Sequence, residues 1–377
     1  MGRASEDLAA DSRVAEPAEA ISVEELQLAT RNHGMPLEAL RYDVTPVGLH
    51  YLLVHYDIPD VDPAAWSLRV EGLVEHERSF NLEAIRSRPM ETLRVTIECA
   101  GNGRARLLPR PVSQPWLTEA VGTADWTGTP LRSLLGECGI RSGAVDLAFT
   151  GADHGIERGV EQDYARGMSV EDALDGDLLL AYEMNGQPLP PQHGAPVRLV
   201  APGWYGMAHV KWLSRIVVLD RPFEGYQNAT AYRFLEPTGE SGDSDHDEAD
   251  VPVTRIRPRA LMRPPGFPDF MSRVRVVDVG GHLLRGRAWS GTAPVERVEV
   301  SVDSGMTWHA AELEPALSPW AWRAWTFTWT AAAPGETELC CRATDAAGSV
   351  QPWNQPWNRQ GMANNMVQRI PVVVRTA

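Results

Sequence analysis

Hydrophobic and polar positions alternate over long stretches of this chain. Val298, Val300 and Val302 share one parity while Glu299, Ser301 and Asp303 share the other. Trp325, Phe327 and Trp329 are set against Thr326, Thr328 and Thr330, and Leu339, Cys341 and Ala343 repeat the pattern. A period of two predicts strands with one buried and one wet face, and Asp303-Ser304-Gly305 and the TDAAGSVQP stretch supply turns between them. Over 252–377 this spacing predicts an antiparallel β-sandwich of immunoglobulin-like size. Between Tyr42 and about Asp220 the pattern is mixed. Short β-like runs (HYLLVHYDI, SLRVEGLV, LRVTIEC, VDLAFTG, VRLVAPG, HVKWLSRIVVL) alternate with Pro/Gly turns and helical stretches such as LRSLLGECG, which predicts an α+β body. At Ser22, SVEEL sets a hydroxyl three residues before Glu25, the spacing of a capping box that opens a helix.

Composition divides the chain further. Residues 1–21 are rich in Ala, Glu and Asp and predict a flexible tail, followed by a catalytic-looking domain over 22–235. EPTGESGDSDHDEAD carries seven acids and no Lys or Arg, so 236–251 predicts an acidic linker before the sandwich. The N-terminus lacks a basic start, an apolar stretch and paired arginines, and a cytoplasmic protein is expected. No apolar run reaches the roughly 18 residues of a membrane span. A formal charge of -15, from 50 acidic against 35 basic side chains, disfavours nucleic acid and anionic membranes as partners. A small anionic substrate therefore needs a local basic pocket. Four cysteines are too few and too scattered for a disulfide scaffold, leaving room for one special thiol. Thirteen Trp against seven Phe is an excess that calls for explanation.

The sharpest chemical feature is VTIECAGNGR. An apolar strand runs into Cys99, then into Gly101, Gly103 and Arg104. A thiol at a strand end beside turn amides and a guanidinium suits a thiolate that attacks or ligates, and a buried structural cysteine is the bland alternative. The two glycines favour the first reading, because they serve a sharp turn or a close approach. A second cluster, QHGAPVRLVAPGWYGMAHVKW, gathers His193, Arg198, His209 and Lys211 around Gly/Pro turns. It suits an anion such as a phosphate, against the alternative of solvated surface charges. Arg31, Asn32 and His33 form a third basic piece after the first helix. A P-loop, a GxGxxG fingerprint, a GxSxG elbow, a CxxCH haem site and CxxC or HxxxH zinc spacings are all absent.

Together TRNHG, the CAGNGR turn, LLLAYEMNGQPLPPQHGAPVRLVAPGWYGMAHVKWL and WNRQGMANNMVQRI resemble the sulfite oxidase family of molybdenum enzymes, in its bacterial-type form. The resemblance implies a first domain that binds one molybdopterin carrying molybdenum (Mo-co), with no haem in this chain, and an immunoglobulin-like dimerisation domain, hence a homodimer. It implies that Cys99 is the thiolate ligand to the metal, a soft donor suited to a high-valent ion. By the same likeness His33, Asp153, His193, Arg198 and Lys211, with Asn32 and His209 beside them, hold the pterin and its phosphate. Arg31 and Arg104 line an anion pocket, Trp116 is its wall, and Tyr232 stands near the metal's oxo group. The implied activity is oxo transfer, in the type case oxidation of sulfite to sulfate, with electrons leaving to a separate acceptor such as a cytochrome.

The chain also departs from the family pattern. Gly103 stands where animal sulfite oxidases carry the first of paired arginines, and Gln360, beside Arg359, stands where they carry a pocket arginine. GMANN looks closer to the assimilatory nitrate reductases of plants. MPLEALRYDVTPVGLHYLLVHYDIP is longer than the animal counterpart and is placed to reshape or cover the pocket entrance. Reduction of nitrate or a sulfoxide with the same cofactor is the alternative activity, and a cofactor-free binding protein is the alternative from another class.

Overall fold

The computed structural model describes residues 13–237 and 248–376. The helix predicted at Ser22 runs Val23–Arg31. Its capping box is complete: Glu25 N donates to Ser22 Oγ at 3.2 Å and Ser22 N donates to Glu25 Oε2 at 2.8 Å. Residues 1–12 of the expected tail lie outside the described residues. Residues 13–21 lie against the body instead, with Ala15 N bonded to Arg110 O at 2.8 Å and Val112 N to Arg13 O at 2.8 Å.

The first part of the chain is built on two five-stranded sheets. One has the order Arg78–Asn81, Ser67–Gly72, Leu213–Leu219, Asp146–Glu157, Val160–Ser169, with Ser67–Gly72 and Leu213–Leu219 parallel. The other runs Glu91–Glu98, Val121–Pro130, Leu179–Met184, Gln187–Pro188, and Arg198–Val200 also pairs with Leu179–Met184. Among the described residues the α-helices are Val23–Arg31, Leu82–Arg86, Leu131–Cys138 and Val170–Asp175, of nine, five, eight and six residues. The body is thus mostly β with few helices, rather than an even α+β mixture.

Beyond it lie a four-stranded and a six-stranded sheet. One core joins them: Trp325 and Trp329 from Arg323–Ala331 pack with Leu339, Cys341 and Ala343 from Gly335–Asp345 and with Val298 and Val300. All three expected alternations therefore turn the predicted face inward, with Val302 and Phe327 partly covered. One pair departs from an all-antiparallel arrangement, since Arg275–Asp278 runs parallel to Gln368–Arg375. The flanks of the expected linker, Arg233–Pro237 and Glu248–Pro252, are antiparallel strands of one hairpin, and 238–247 lie outside the described residues.

HYLLVHYDI, expected as a strand, is not one. Asn32 Oδ1 accepts from Val54 N at 2.8 Å, Lys211 Nζ donates to Leu53 O at 2.6 Å, and Arg31 bonds Tyr56 O. Side chains take the backbone groups that a ladder would use, so the segment stays extended and lies over the site.

The tryptophan excess has a physical use. Trp325 and Trp329 fill the second core, while Trp322 turns toward the first domain and donates from Nε1 to Asp43 O at 2.9 Å. Trp357 reaches back in the same way to Pro109 O at 2.7 Å.

Candidate active site

Cys99 follows directly on the strand Glu91–Glu98, which fixes its backbone: Cys99 N donates to Ala120 O at 2.9 Å, and Asn102 N donates to Cys99 O at 3.0 Å. Glu98, fully buried, accepts from Asn102 Nδ2 at 2.9 Å and from Trp289 Nε1 at 2.7 Å. The turn then requires its glycines. Gly103 has φ +90°, a left-handed conformation open to glycine, and a Cβ there would meet Asn364 Nδ2 at 2.8 Å. A Cβ on Gly101 would meet Arg104 Nη2 at 2.6 Å, because Arg104 folds back over the turn. That guanidinium is pinned by Gln360 O at 2.8 Å from Nε and Gln114 O at 3.3 Å from Nη1. Burial pushes the Cys99 thiol up, while the Arg104 guanidinium, the Gly101 amide and the Trp116 indole pull it down.

Two cavities meet at Cys99, Leu53, His55 and Tyr232. The inner one is lined by His50, Asp153, Tyr164, His193, Arg198, His209 and Lys211, among others. Its two cations behave differently. Arg198 lies over Trp126 at 4.7 Å and donates only to carbonyls, at His193 O (3.0 Å) and His209 O (3.1 Å), among its closest contacts. Lys211 is pulled below the usual ammonium range by burial and by Arg198, and Asp153 is pushed above the usual carboxylate range by burial. The outer cavity, of about 330 Å³, opens past Arg104, Arg158, Gln114, Glu157, Arg359 and Gln360.

Tyr232 stands between the cavities. It follows the π-helical turn Gln227–Ala231, a distortion common at functional sites. Its hydroxyl is 2.8 Å from His55 Nε2, and the Arg166 guanidinium lies 5.2 Å from its ring centre. Burial, with Tyr164 and Cys99 nearby, raises its phenol well above the ordinary value, so it is a neutral hydroxyl.

The fold thus brings together Cys99, Asp153, His193, Arg198, His209, Lys211 and Tyr232 around the inner cavity, and Arg104 beside the outer one. It does not bring in four others. Arg31 is exposed and paired with Asp57 at 3.3 Å, and the His33 side chain is exposed while its backbone bridges Leu52. Asn32 is buried as a splint, donating to Leu28 O and Gln114 Oε1 at 3.0 Å each. Trp116 packs in the core with Cys99 instead of lining a cavity. The cationic reading of the histidines also changes. Burial lowers His193 to about 2 and His209 to about 3, so both are neutral. Both nitrogens of His209 are also taken, by Ala201 N at 3.2 Å and Trp204 O at 3.1 Å. Local reasoning missed His50 and His55. Their signal is the repeated His-Tyr dipeptide of HYLLVHYD, which places His50 at the inner cavity and His55 at the junction of the two.

The residues fit a pterin-bound metal. Among the described residues no group of three or more His, Cys, Asp or Glu side chains is set to hold an ion, so a metal at Cys99 must bring other ligands with it. His50 Nε2 and Asp153 Oδ1 are buried polar atoms without a partner, and both residues line the inner cavity. Such atoms await a ligand, since burying an unpaired polar atom costs about 1–3 kcal/mol. A polar heterocycle answers Asp153 and His50, and its phosphate suits Arg198 and Lys211.

Two family models match the chain, an oxidoreductase molybdopterin binding domain over residues 55–227 and a Mo-co oxidoreductase dimerisation domain over residues 268–375. The mitochondrial sulfite oxidase of Drosophila melanogaster is 32% identical over 88% of this chain and 59% of its own length. The NADH nitrate reductase 2 of Phaseolus vulgaris is 31% identical over 90% of this chain and 40% of its own length. The chain therefore spans about two fifths to three fifths of these relatives. The sulfane dehydrogenase SoxCD of Paracoccus pantotrophus superposes with a TM-score of 0.77 at 25% identity, covering 99% of this chain and 92% of that one. With a buried cysteine at a strand end, a cavity of unpaired polar atoms behind it and both family models in register, the chain belongs to the sulfite oxidase family of molybdopterin-dependent oxidoreductases.

Proposed function

We propose that this protein catalyses oxo transfer at a molybdenum held by Cys99, oxidising sulfite to sulfate and passing electrons to a separate acceptor such as a cytochrome. The carrying observation is the junction of the two cavities, where Cys99, Tyr232 and the pinned Arg104 converge. When bound, the cofactor supplies a transferable oxygen and takes up two electrons. The rest falls to the chain. Arg198 and Lys211 neutralise the pterin phosphate, and Asp153 and His50 take its polar edge. Arg104 draws an anion in from the outer cavity and stabilises charge as it develops, the more strongly for being held in advance by two carbonyls. Tyr232, a neutral phenol, donates or accepts a proton at the reacting oxygen. Leu53, Val54 and Met362 give the outer cavity an apolar wall beside the junction.

Reduction of nitrate is the second reading. It is favoured by the nearly equal identity to nitrate reductases and by the GMANN turn, where Asn364 Nδ2 donates to Gly103 O at 2.7 Å and so carries that segment to the metal-ligand loop. A panel on molybdenum-replete protein decides between them: sulfite with ferricyanide, against nitrate and a sulfoxide with a reduced viologen. Turnover of sulfite alone is expected, and nitrate turnover with none of sulfite would replace the first reading by the second. Cys99→Ser should abolish turnover while the circular dichroism spectrum stays unchanged and molybdenum stays on its pterin, and retained turnover would remove the thiolate role. The matched dimerisation domain supports a homodimer through the second, immunoglobulin-like unit, which sedimentation would read as twice the chain mass. We also propose a cytoplasmic location. The animal relatives are named as mitochondrial, so fractionation of the source cells is its test.

A further inference from the structure

His55 has no role in the mechanism above, yet it is the residue bonded to Tyr232. Its Nε2 lies 2.8 Å from the phenol oxygen, and its ring is 4.7 Å from that of Tyr164. Tyr164 is committed elsewhere, its hydroxyl donating to Met207 O at 2.8 Å. His55 is one of the few residues lining both cavities, and among the described residues no protein group bonds its Nδ1. A ring that merely filled space would not need to sit at the junction with one nitrogen spoken for and the other open.

We propose that His55 is the residue through which Tyr232 exchanges its proton with water in the outer cavity. This rests on the oxo-transfer reading, in which the water that restores the transferred oxygen must lose its protons. As a proton reaches the phenol oxygen from the inner side, the phenol proton passes to Nε2 and the Nδ1 proton leaves to water in the outer cavity. Only O–H and N–H bonds form and break, and the imidazole is neutral before and after. The surroundings enforce that neutrality. Lys211, Arg104 and Arg166 face the ring, Tyr164 and Tyr232 are its other polar neighbours, and burial with those cations lowers the imidazole to about 3. Before transfer the relay requires the Nδ1–H tautomer, with Nε2 accepting from the phenol across the 2.8 Å contact.

Nitrogen-15 NMR of histidine-labelled protein without cofactor reads the tautomer directly. The expected result is a protonated Nδ1 and a hydrogen-bonded, unprotonated Nε2 whose resonance moves in Tyr232→Phe, a variant that removes one oxygen and keeps the ring. A protonated Nε2, or a resonance indifferent to Tyr232→Phe, would overturn the proposal. In molybdenum-replete enzyme, His55→Gln should slow turnover on the order of 100-fold, the usual size of a positioned proton transfer, with unchanged KM and molybdenum content and a larger solvent deuterium isotope effect. Wild-type turnover and isotope effect in His55→Gln would overturn it equally. If no tested substrate turns over in the unaltered enzyme, the oxo-transfer reading fails, and the NMR result still decides the His55–Tyr232 link.

Discussion

Glu98 Oε1 and Arg259 Nε approach to 2.8 Å across the seam between the two domains, with their side chains 1% and 2% exposed. Glu98 precedes the proposed metal ligand, so the second domain holds the Cys99 turn in place. Arg259 also bonds Asn364 O, and Arg287 strengthens the same seam through Leu40 O at 2.9 Å and Asp43 at 2.8 Å. Arg259→Met would leave the buried Glu98 with its Asn102 and Trp289 hydrogen bonds but no countercharge, a change that costs about 3–5 kcal/mol where it has been measured. We expect calorimetry to show one cooperative transition in the native chain and a much lower Tm in this variant. Adding Glu98→Leu should recover part of the loss, because the uncompensated charge is then gone. A loss below about 1 kcal/mol in Arg259→Met would mean that the pair carries little.

The parts of the molecule legible in the sequence are those set by neighbours. Ser22 and Glu25 cap their helix within four residues, and Trp325 and Trp329 bury one face of a strand by simple alternation. The Gly101 and Gly103 turn was legible because glycine marks a backbone need. What stayed hidden depends on distant partners. HYLLVHYDI has the composition of a strand, but Asn32 and Lys211, far away in the chain, take its backbone groups. His209 reads as a cation in a basic cluster, yet burial neutralises it and the Ala201–Trp204 turn occupies both nitrogens. Trp320 and Trp322 look like sandwich core, whereas Thr96 N donates to Trp320 O at 2.9 Å and Trp322 N donates to Thr96 Oγ1 at 2.7 Å, tying both to the first domain.

Gly103 is the sharpest backbone test. An alanine there must adopt φ near +90° and push aside Asn364, whose amide holds Gly103 O. The conformational strain alone is about 1–3 kcal/mol. Gly103→Ala should therefore lower the urea midpoint without changing the slope of unfolding. Gly136, which a Cβ would meet nothing near, is the control: Gly136→Ala lies in the helix Leu131–Cys138 and should stabilise or be neutral.

Acid should destabilise the fold before it titrates ordinary carboxylates. Burial depresses His50 to about 4, His209 to about 3 and His193 to about 2 in the folded protein, while in the unfolded chain each titrates near 6.5. Between these values the unfolded state binds more protons, so stability falls as pH falls. The contribution is complete above about pH 6.5 and is lost progressively as pH falls, down to about 4 for His50, about 3 for His209 and about 2 for His193, at up to about 1.4 kcal/mol per pH unit for each. Urea unfolding of cofactor-free protein at about pH 7.5 and about pH 5.5, one unit either side of the free imidazole value, should show a clearly lower midpoint at the acid end. Equal midpoints would mean that these imidazoles are protonated in the folded state.

Arg104 should set anion affinity, and its geometry separates charge from placement. Arg104→Gln removes the cation at the inner end of the outer cavity. A hydrogen bond to a charged group contributes about 1.5–3 kcal/mol, so kcat/KM for the anionic substrate should fall about 10- to 100-fold. Gly101→Ala keeps the charge but sets a methyl group 2.6 Å from Nη2, forcing the guanidinium off Gln360 O and Gln114 O. If pre-positioning matters, Gly101→Ala should raise KM nearly as much as Arg104→Gln, with molybdenum content unchanged in both. If charge alone matters, Gly101→Ala should keep the native KM and only Arg104→Gln should lose affinity. Steady-state kinetics at fixed ionic strength distinguishes the two, and the two carbonyl bonds that hold Arg104 in advance favour the first outcome.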